Sequence, residues 1–258
     1  MARDWSDLRA RSLSAVAMIV IGFGAIFLGG FAIKALAIAV SGLMVWELAR
    51  LCGATDLRAR ALGGVAALAS TAMVFVMIPP SLLAMFLPAM FGMALTAKGS
   101  RGIFGFYSVL VMLTGFGLVS LRIGVGIEAV VWLVGVVILC DIGGYFAGRM
   151  LGGPKFWPAI SPKKTWSGTA AGWICAAIWG FAFGGIGLAI VSIVIAFAGQ
   201  LGDILESYLK RRAGIKDSSN LIPGHGGVLD RFDALVAAIV ALMVLSMIFP
   251  LPLPVAAG

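Results

Sequence analysis

A dense polar stretch near the C-terminus, residues 207–233, carries most of the side chains that could do chemistry. It reads SYLKRRAGIKDSSNLIPGHGGVLDRFD, with five lysines or arginines, three aspartates and the chain's single histidine, His225. Just before it, Asp203 and Glu206 interrupt an apolar segment. Carboxylates are ligands for Mg²⁺, and lysine and arginine bind phosphate oxygens. This combination predicts a site that holds phosphate groups and a metal ion.

The acidic residues before this stretch share one helix face with a hydroxyl and a lysine. Asp203, Glu206, Ser207 and Lys210 fall at positions i, i+3, i+4 and i+7. The face begins acidic and ends basic, which suits a metal held by carboxylates with phosphates extending toward the lysine. An ion pair between Glu206 and Lys210 is the alternative, although it leaves Asp203 unexplained.

A glycine-rich loop, PGHGG at residues 223–227, precedes the last apolar segment. Glycines allow backbone N–H groups to approach an anion closely. Asp230 then begins a helix, where it can cap the N-terminus, bind a metal, or do both. His225 has no cysteine or histidine neighbours with which to form a zinc site. It is a candidate phosphate donor or general base, with a structural role in the loop as the alternative.

Two upstream segments add further candidates. Asp141 lies near the end of an apolar segment, with Tyr145 and two glycines on its face, which indicates a polar cavity. Helix packing on the glycines, with Asp141 paired to Arg149, is the alternative. The segment SPKKT at residues 161–165 precedes another apolar helix. Its lysines, hydroxyls and helix N-terminus suit a phosphate group, whereas a basic anchor for lipid headgroups is the alternative.

The elements that position these residues are predicted to be membrane helices. Of the 258 residues, 61% are apolar and 12% are charged, against about 25% charged in soluble domains. Many apolar runs approach the ~20 residues that cross a bilayer. The composition therefore predicts an all-α, polytopic membrane protein, and the net charge of +8 reports topology before nucleic-acid binding. The three cysteines lack metal-site spacing and predict no disulfide framework.

We predict about nine spans with the N-terminus in the cytoplasm. In that orientation all but two of the 19 lysines and arginines lie in the tail, in cytoplasmic connections or at the span ends beside them, the exceptions being Lys34 and Arg122. The first span is expected to be an uncleaved helix, and Glu47 is expected at the membrane interface or paired with an arginine. Residues 1–125 form a predicted N-terminal region and residues 126–258 a catalytic region. The predicted spans are Leu13–Gly29, Ala32–Leu51, Leu57–Ile78, Leu82–Ala97, Ile103–Leu121, Glu128–Met150, Thr165–Phe183, Ile186–Arg212 and Phe232–Phe249.

The spacing of the polar residues forms a specific pattern. It reads S-x-x-K-R from residue 207, K-D from residue 216 and P-x-H-G-G-x-x-D-R-x-D from residue 223. This pattern resembles the signature of the phosphatidate cytidylyltransferases, also called CDP-diacylglycerol synthases. Upstream, D-x-x-G-Y-x-x-G-R from residue 141 and S-P-x-K-T from residue 161 are similar to the same family. The chain departs from the family at two positions. Ser167 stands where relatives often have an acid or an amide, and Ala234 stands where they often have a serine.

The resemblance implies a many-span membrane enzyme that makes CDP-diacylglycerol and pyrophosphate from CTP and phosphatidic acid with Mg²⁺. It implies a homodimer in the bacterial inner membrane, with the site on the cytoplasmic face and no nucleic-acid partner. Asp203 and Asp230 would bind the metal and, with Lys210 and His225, form the catalytic set, in which His225 contacts substrate before it acts as a base. Implied substrate contacts are Asp141, Tyr145, Ser161, Lys163, Lys164, Thr165, Ser207, Arg211, Lys216, Asp217, Gly226, Gly227, Arg231 and Asp233.

Two other classes of protein remain as alternatives. A cation-coupled secondary transporter also uses carboxylates in the membrane, but the polar groups here cluster on one predicted face and inverted repeats are not apparent. A lipid-binding scaffold needs only basic loops, for which the acidic residues would be unfavourable. Both alternatives predict no lipid-soluble CDP product from CTP and phosphatidic acid.

Overall fold

The computed structural model describes residues 5–254, with the side chains of residues 11–161 and 163–254. Arg3 and Arg9 are two of the basic residues on which the predicted membrane orientation depends, and they lie outside the described side chains. The chain is almost entirely helical. Its α-helices are α1 (Trp5–Leu28), α2 (Gly30–Leu51), α3 (Asp56–Val76), α4 (Phe86–Leu95), α5 (Arg101–Gly124), α6 (Ile127–Leu151), α7 (Trp166–Ala213) and α8 (Leu229–Ile248), and short 3₁₀ helices cover Pro79–Met85 and Lys98–Ser100.

Seven of the described helices are long and apolar enough to cross a membrane. The predicted fourth span corresponds to the shorter apolar helix Pro79–Leu95, because Pro79-Pro80 ends α3 and begins a 3₁₀ turn. The predicted seventh and eighth spans are the two parts of α7. Its helical conformation is interrupted at Gly184 (φ −163°, ψ 27°) and Gly185 (φ 68°, ψ −160°). The positive φ at Gly185 is one that a residue with a side chain rarely adopts.

The chain divides into two compact units. The first contains the described residues of Met1–Ile123 together with Arg212–Phe232, and the second those of Gly124–Arg211 together with Asp233–Gly258. The polar stretch that follows α7 thus groups with the N-terminal helices. The boundary at residue 125 that the sequence suggests stays a prediction.

Small residues bring the helices of the first unit together. A Cβ atom at Gly63 of α3 would lie 2.8 Å from the carbonyl oxygen of Gly42 in α2, so these two backbones are in direct contact. A Cβ atom at Gly115 of α5 would lie 2.5 Å from the hydroxyl oxygen of Ser41 in α2. In a bilayer, close packing of this kind replaces the hydrophobic effect as the force between helices. It fixes α2, which carries Glu47.

The second unit is built on glycines in α6 and α7. A Cβ atom at Gly168 would lie 2.5 Å from the carbonyl oxygen of Gly144, and one at Gly148 would lie 2.9 Å from the Thr165 hydroxyl. The alternative interpretation of the α6 glycines, helix packing, therefore describes their contacts. Buried polar side chains join the same unit: Trp132 Nε1 donates to Ser192 Oγ at 2.9 Å.

A short β-hairpin was not expected from the sequence. β1 (Lys155–Trp157) pairs antiparallel with β2 (Ser161–Thr165), with Lys155 opposite Thr165 and Trp157 opposite Ser161. The predicted phosphate-binding segment is therefore a strand that leads directly into α7. Periodicity gave no signal for it because each strand is too short to show an alternating pattern.

Candidate functional site

Three carboxylates converge in the second unit where α7 packs against α8. One oxygen each of Asp203, Glu206 and Asp233 lies within 4.8 Å of the others. Gly202 makes the approach possible, because a Cβ atom there would lie 2.5 Å from the Asp233 carbonyl oxygen and 2.8 Å from the Ala237 side chain. Asp203 and Glu206, which the helix spacing predicted on one face, therefore lie together in this cluster. Asp233 of α8 is its third carboxylate.

Two lysines balance part of this charge. Lys164, at the end of the hairpin, forms an ion pair with Asp203, and Lys210 Nζ lies 2.5 Å from Glu206 Oε2. Glu206 is fully buried. The ion pair that the sequence offered as an alternative therefore exists within the acidic cluster. Three ionised carboxylates with two ammonium groups leave a net negative charge, which a further cation would balance. All-oxygen ligands suit a hard divalent ion.

The remaining side chains of this unit support the cluster. Ser207 Oγ donates to Asp203 Oδ1 at 3.3 Å. Thr165 Oγ1 accepts from the Gly168 N–H at 3.2 Å and so caps the N-terminus of α7. Ser161 is half-buried and Lys163 is exposed. The hairpin therefore presents Lys164 to the cluster while its last residue starts the helix.

Two further predicted contacts lie on the exposed side of α6. Asp141 and Tyr145 are exposed, and Arg149 Nη1 donates to the Tyr145 hydroxyl oxygen at 2.9 Å. Arg211, near the end of α7, is exposed as well. Their predicted contacts with substrate stay predictions.

In the first unit, Asp230 organises the loop that precedes it. Its Oδ2 accepts from the Ser218 N–H at 2.9 Å, the Ser218 hydroxyl at 3.0 Å and the Gly227 N–H at 2.7 Å. Gly226 has φ +82°, and a Cβ there would lie 2.7 Å from Asp230 Oδ2. Asp230 lies in the first turn of α8 and these donors precede the helix, so the bonds tie the loop to α8 and do not form the N-cap that the sequence suggested. The carboxylates that cluster with Asp203 are Glu206 and Asp233, and the pairing of Asp203 with Asp230 stays a prediction.

Glu47 makes contacts that the sequence did not suggest. It is fully buried, and its carboxylate accepts four hydrogen bonds from Ser218, Ser219, Val228 and Leu229. Among the described residues these partners are serines and backbone N–H groups and not an arginine, because the polar loop, residues 218–229, returns over the end of α2 and covers the carboxylate. Its place at the membrane interface stays a prediction. The nearby Arg50 lies instead over the Trp46 ring, 5.2 Å from its centroid.

The same loop forms a polar pocket of about 350 Å³. Cationic side chains from both ends of the first unit line it, together with other residues of the loop. They are Arg11, Lys216, Asp217, Asn220, Ile222, Pro223, Gly224, His225, Gly226 and Arg231. Arg231 Nε also donates to the His225 carbonyl oxygen at 3.0 Å. Three cations around a cavity of this size suit an anion with several charged oxygens.

Ser14 of α1 orients the histidine in this pocket. Its Oγ lies 2.9 Å from the Pro223 carbonyl oxygen, 3.0 Å from the Arg11 carbonyl oxygen and 2.8 Å from His225 Nδ1. A hydroxyl has a single proton. A carbonyl oxygen can only accept a hydrogen bond, whereas a histidine ring nitrogen can either donate or accept one. The hydroxyl therefore donates to a carbonyl, while the Nδ1–H donates to Oγ. In the neutral ring this leaves Nε2 as the acceptor.

Comparison with known proteins agrees with the signature. A sequence profile described as the cytidylyltransferase family matches residues 9–249. The chain belongs to this family. It is 35% identical to the phosphatidate cytidylyltransferase of Brucella suis over 260 aligned residues, which cover 96% of both chains. It is 41% identical over 128 residues to the proteins of that name from Helicobacter pylori strain J99 and Staphylococcus saprophyticus, over 46% of this chain and 47% and 49% of theirs.

For this family member, sequence reasoning missed the contributions of the N-terminal helices. Glu47 had one available signal, a carboxylate at the end of an otherwise apolar span. Ser14 and Arg11 had none, because an arginine just before an apolar run is an ordinary topological feature and a lone serine in the run suggests no partner. Only tertiary structure brings them to a loop that lies some two hundred residues later in the chain.

Proposed function

We propose that this protein is a phosphatidate cytidylyltransferase that converts CTP and phosphatidic acid into CDP-diacylglycerol and pyrophosphate. The observation that carries the proposal is its match to relatives of that name over 96% of both chains. The acidic cluster and the cationic pocket supply the two features that the reaction needs, a metal site and an anion site. The seven apolar helices and the bacterial relatives agree with an enzyme of the bacterial inner membrane.

The acidic cluster is the proposed magnesium site. Asp203, Glu206 and Asp233 would hold the ion, with Asp230 as the further ligand that the signature implies. When bound, Mg²⁺ supplies charge neutralisation for phosphate oxygens. Lys164 and Lys210 help to hold the carboxylates close together. The donor set agrees with Mg²⁺, since hard oxygen ligands and phosphates are its usual partners.

The chemical step proposed is an attack by the lipid on the nucleotide. A phosphate oxygen of phosphatidic acid forms a bond to the α-phosphorus of CTP, the bond from that phosphorus to the bridging oxygen breaks, and pyrophosphate leaves. The attacking phosphate is already ionised near neutral pH, so a strong base is unnecessary. Lys216, Arg231 and Arg11 bind and orient the polyphosphate, and His225 contacts the substrate in the same pocket.

We also propose the arrangement in the membrane. Nine spans result if the shorter helix Pro79–Leu95 and both parts of α7 cross the bilayer. The N-terminus then lies in the cytoplasm, and so do the hairpin and the polar loop, where CTP is available. We propose a homodimer, as the resemblance implies. Labelling of a cysteine introduced at exposed Asn220 in sealed cells tests the orientation, and light scattering of the solubilised protein tests the dimer.

Conversion of labelled CTP into a lipid-soluble product tests the function. Purified protein is incubated with Mg²⁺, phosphatidic acid and CTP, and the variants Asp203→Asn and Asp230→Asn are compared with Asp56→Asn. Asp56 is an exposed residue of α3 whose carboxylate lies 2.6 Å from Arg60, so its loss should leave turnover unchanged. We expect the first two variants to lose activity by orders of magnitude while the protein still inserts. A folded wild-type protein that makes no CDP-lipid would contradict the proposed function.

A further inference from the structure

We propose that Glu47 is a positioning residue that holds the polar loop, residues 218–229, in the shape required for CTP binding. The inference rests on the proposed function for its substrate, while the anchoring itself is independent of it. Glu47 belongs to α2 and lies outside the signature. Its contacts with the loop carry the inference.

Four donors from both ends of the loop converge on this one carboxylate. Oε1 accepts from the Ser219 hydroxyl at 2.6 Å and the Val228 N–H at 3.0 Å. Oε2 accepts from the Leu229 N–H at 2.6 Å and the Ser218 hydroxyl at 3.2 Å. The carboxylate therefore closes the base of the loop and joins its first residues to the start of α8.

The donors explain how a fully buried carboxylate is accommodated. Two are hydroxyls and two are backbone N–H groups at the N-terminus of α8, where the helix dipole favours negative charge. Hydrogen bonds from several donors stabilise the ionised form of a carboxylate. An amide in its place would turn an –NH₂ group toward two donors and leave them without an acceptor.

The loop is tightly packed against Glu47 at Gly227. A Cβ atom at Gly227 would lie 2.5 Å from Glu47 Oε1 and 2.0 Å from Ser218 Oγ. The Ser218 hydroxyl has one proton, which Glu47 Oε2 at 3.2 Å and Asp230 Oδ2 at 3.0 Å share, and the Ser218 N–H donates to Asp230 Oδ2 as well, so two carboxylates hold the same residue. Glu47 anchors the loop from α2 and Asp230 anchors it from α8.

The anchored segment carries the pocket. His225 and Gly226 lie near the tip, where the Ile222 N–H donates to the Gly226 carbonyl oxygen at 2.8 Å. Lys216, which also lines the pocket, lies two residues before Ser218. A shift at the base would move these groups relative to Arg231, which is fixed in α8. Release of Glu47 should therefore weaken CTP binding more than phosphatidic acid binding.

Hydrogen exchange and kinetics test the proposal together. Glu47→Gln keeps the side-chain shape, and Ser219→Ala removes a single donor, which keeps the test possible if the first variant folds poorly. The control is Ser41→Ala, because Ser41 is equally buried in the same helix but packs against Gly115. Exchange of residues 218–229 is measured without substrates, and KM and kcat are measured for both substrates per folded molecule.

We expect Glu47→Gln to accelerate exchange in the loop and to raise the KM for CTP roughly tenfold to a hundredfold, as the loss of two buried hydrogen bonds would do. Ser219→Ala should give a smaller effect, and the double variant should add little to Glu47→Gln, because the two residues share one interaction. Ser41→Ala should match wild type in both measurements.

Two results would overturn the inference. Wild-type exchange of residues 218–229 in Glu47→Gln would show that the carboxylate does not hold the loop. Faster exchange with unchanged KM and kcat would show a purely structural role. An inactive wild-type protein would count against the proposed cytidylyl transfer alone, because the exchange experiment contains no substrate.

Discussion

Removal of one carboxylate from the acidic cluster should separate metal binding from folding. Asp203, Glu206 and Asp233 place oxygens within 4.8 Å of one another, a geometry that repels without a cation and binds with one. Asp233→Asn removes one charge and keeps the side-chain size. We expect this variant to be at least as stable as wild type without divalent ions and to lose most of the stabilisation that Mg²⁺ gives.

The size of the effect follows from the distances. Two unit charges separated by 4.8 Å repel by roughly 3 kcal/mol at an effective dielectric constant of about 20. Lys164 and Lys210 offset part of this repulsion through their ion pairs. An ion at 100 times its Kd stabilises the folded state by about 2.7 kcal/mol, which corresponds to a rise in Tm of roughly 5–10 °C for a chain of this length.

Thermal unfolding of the solubilised protein in EDTA and in MgCl₂ measures both quantities. Wild type should show the full rise in Tm with Mg²⁺. The Asp233→Asn variant should show a small fraction of it from an equal or higher starting value. Asp56→Asn is the matched control, because it removes an exposed carboxylate that pairs with Arg60, and it should respond to Mg²⁺ as wild type does.

Two outcomes would refute this reasoning. A full response to Mg²⁺ in Asp233→Asn would show that the ion binds elsewhere. A lower Tm of Asp233→Asn in EDTA would show that Asp233 stabilises the folded protein through its own contacts, and that these contacts outweigh the repulsion within the cluster.

Three further predictions follow from single contacts. Gly202→Ala should lower both Tm and turnover by forcing α7 from α8, at a cost of about 1–3 kcal/mol, whereas Gly64→Ala, whose Cβ would meet nothing within 4 Å, should be neutral or stabilising in the same melting experiment. Ser14→Ala should raise the KM for CTP by releasing His225, and a substituted enzyme with wild-type KM would contradict the pocket assignment. Burial raises the pKa of the Cys52 thiol to about 11, so alkylation followed by mass spectrometry should be slow at pH 8, accelerate with rising pH, and become fast after unfolding in detergent.

Local patterns in the sequence were sufficient for the helices and for part of the site. Apolar runs with prolines and glycines at their ends predicted most helix bounds within a few residues. Spacing at i, i+3 and i+7 predicted the shared face of Asp203, Glu206 and Lys210, and the structure confirms the contact between the last two. These features depend only on residues within two turns of each other.

The features that were missed depend on distant parts of the chain. The hydrogen bonds of Glu47 were not predicted because its donors are more than 170 residues away in sequence. Asp233 was recognised only as a contact of the signature, because its place in the acidic cluster depends on how α8 packs against Gly202. The hairpin that carries Lys164 is too short for periodicity to detect. Tertiary contacts decided each of these positions, and no local pattern encodes them.

The hydrogen bonds of Glu47 have a consequence for biogenesis. The carboxylate is synthesised early, whereas its four donors follow 171 to 182 residues later. Until the ribosome has completed α8, the nascent chain holds a charged group at the end of α2 without the partners it has in the finished protein, which is unfavourable beside lipid. A chain truncated before Ser218 would keep that defect permanently.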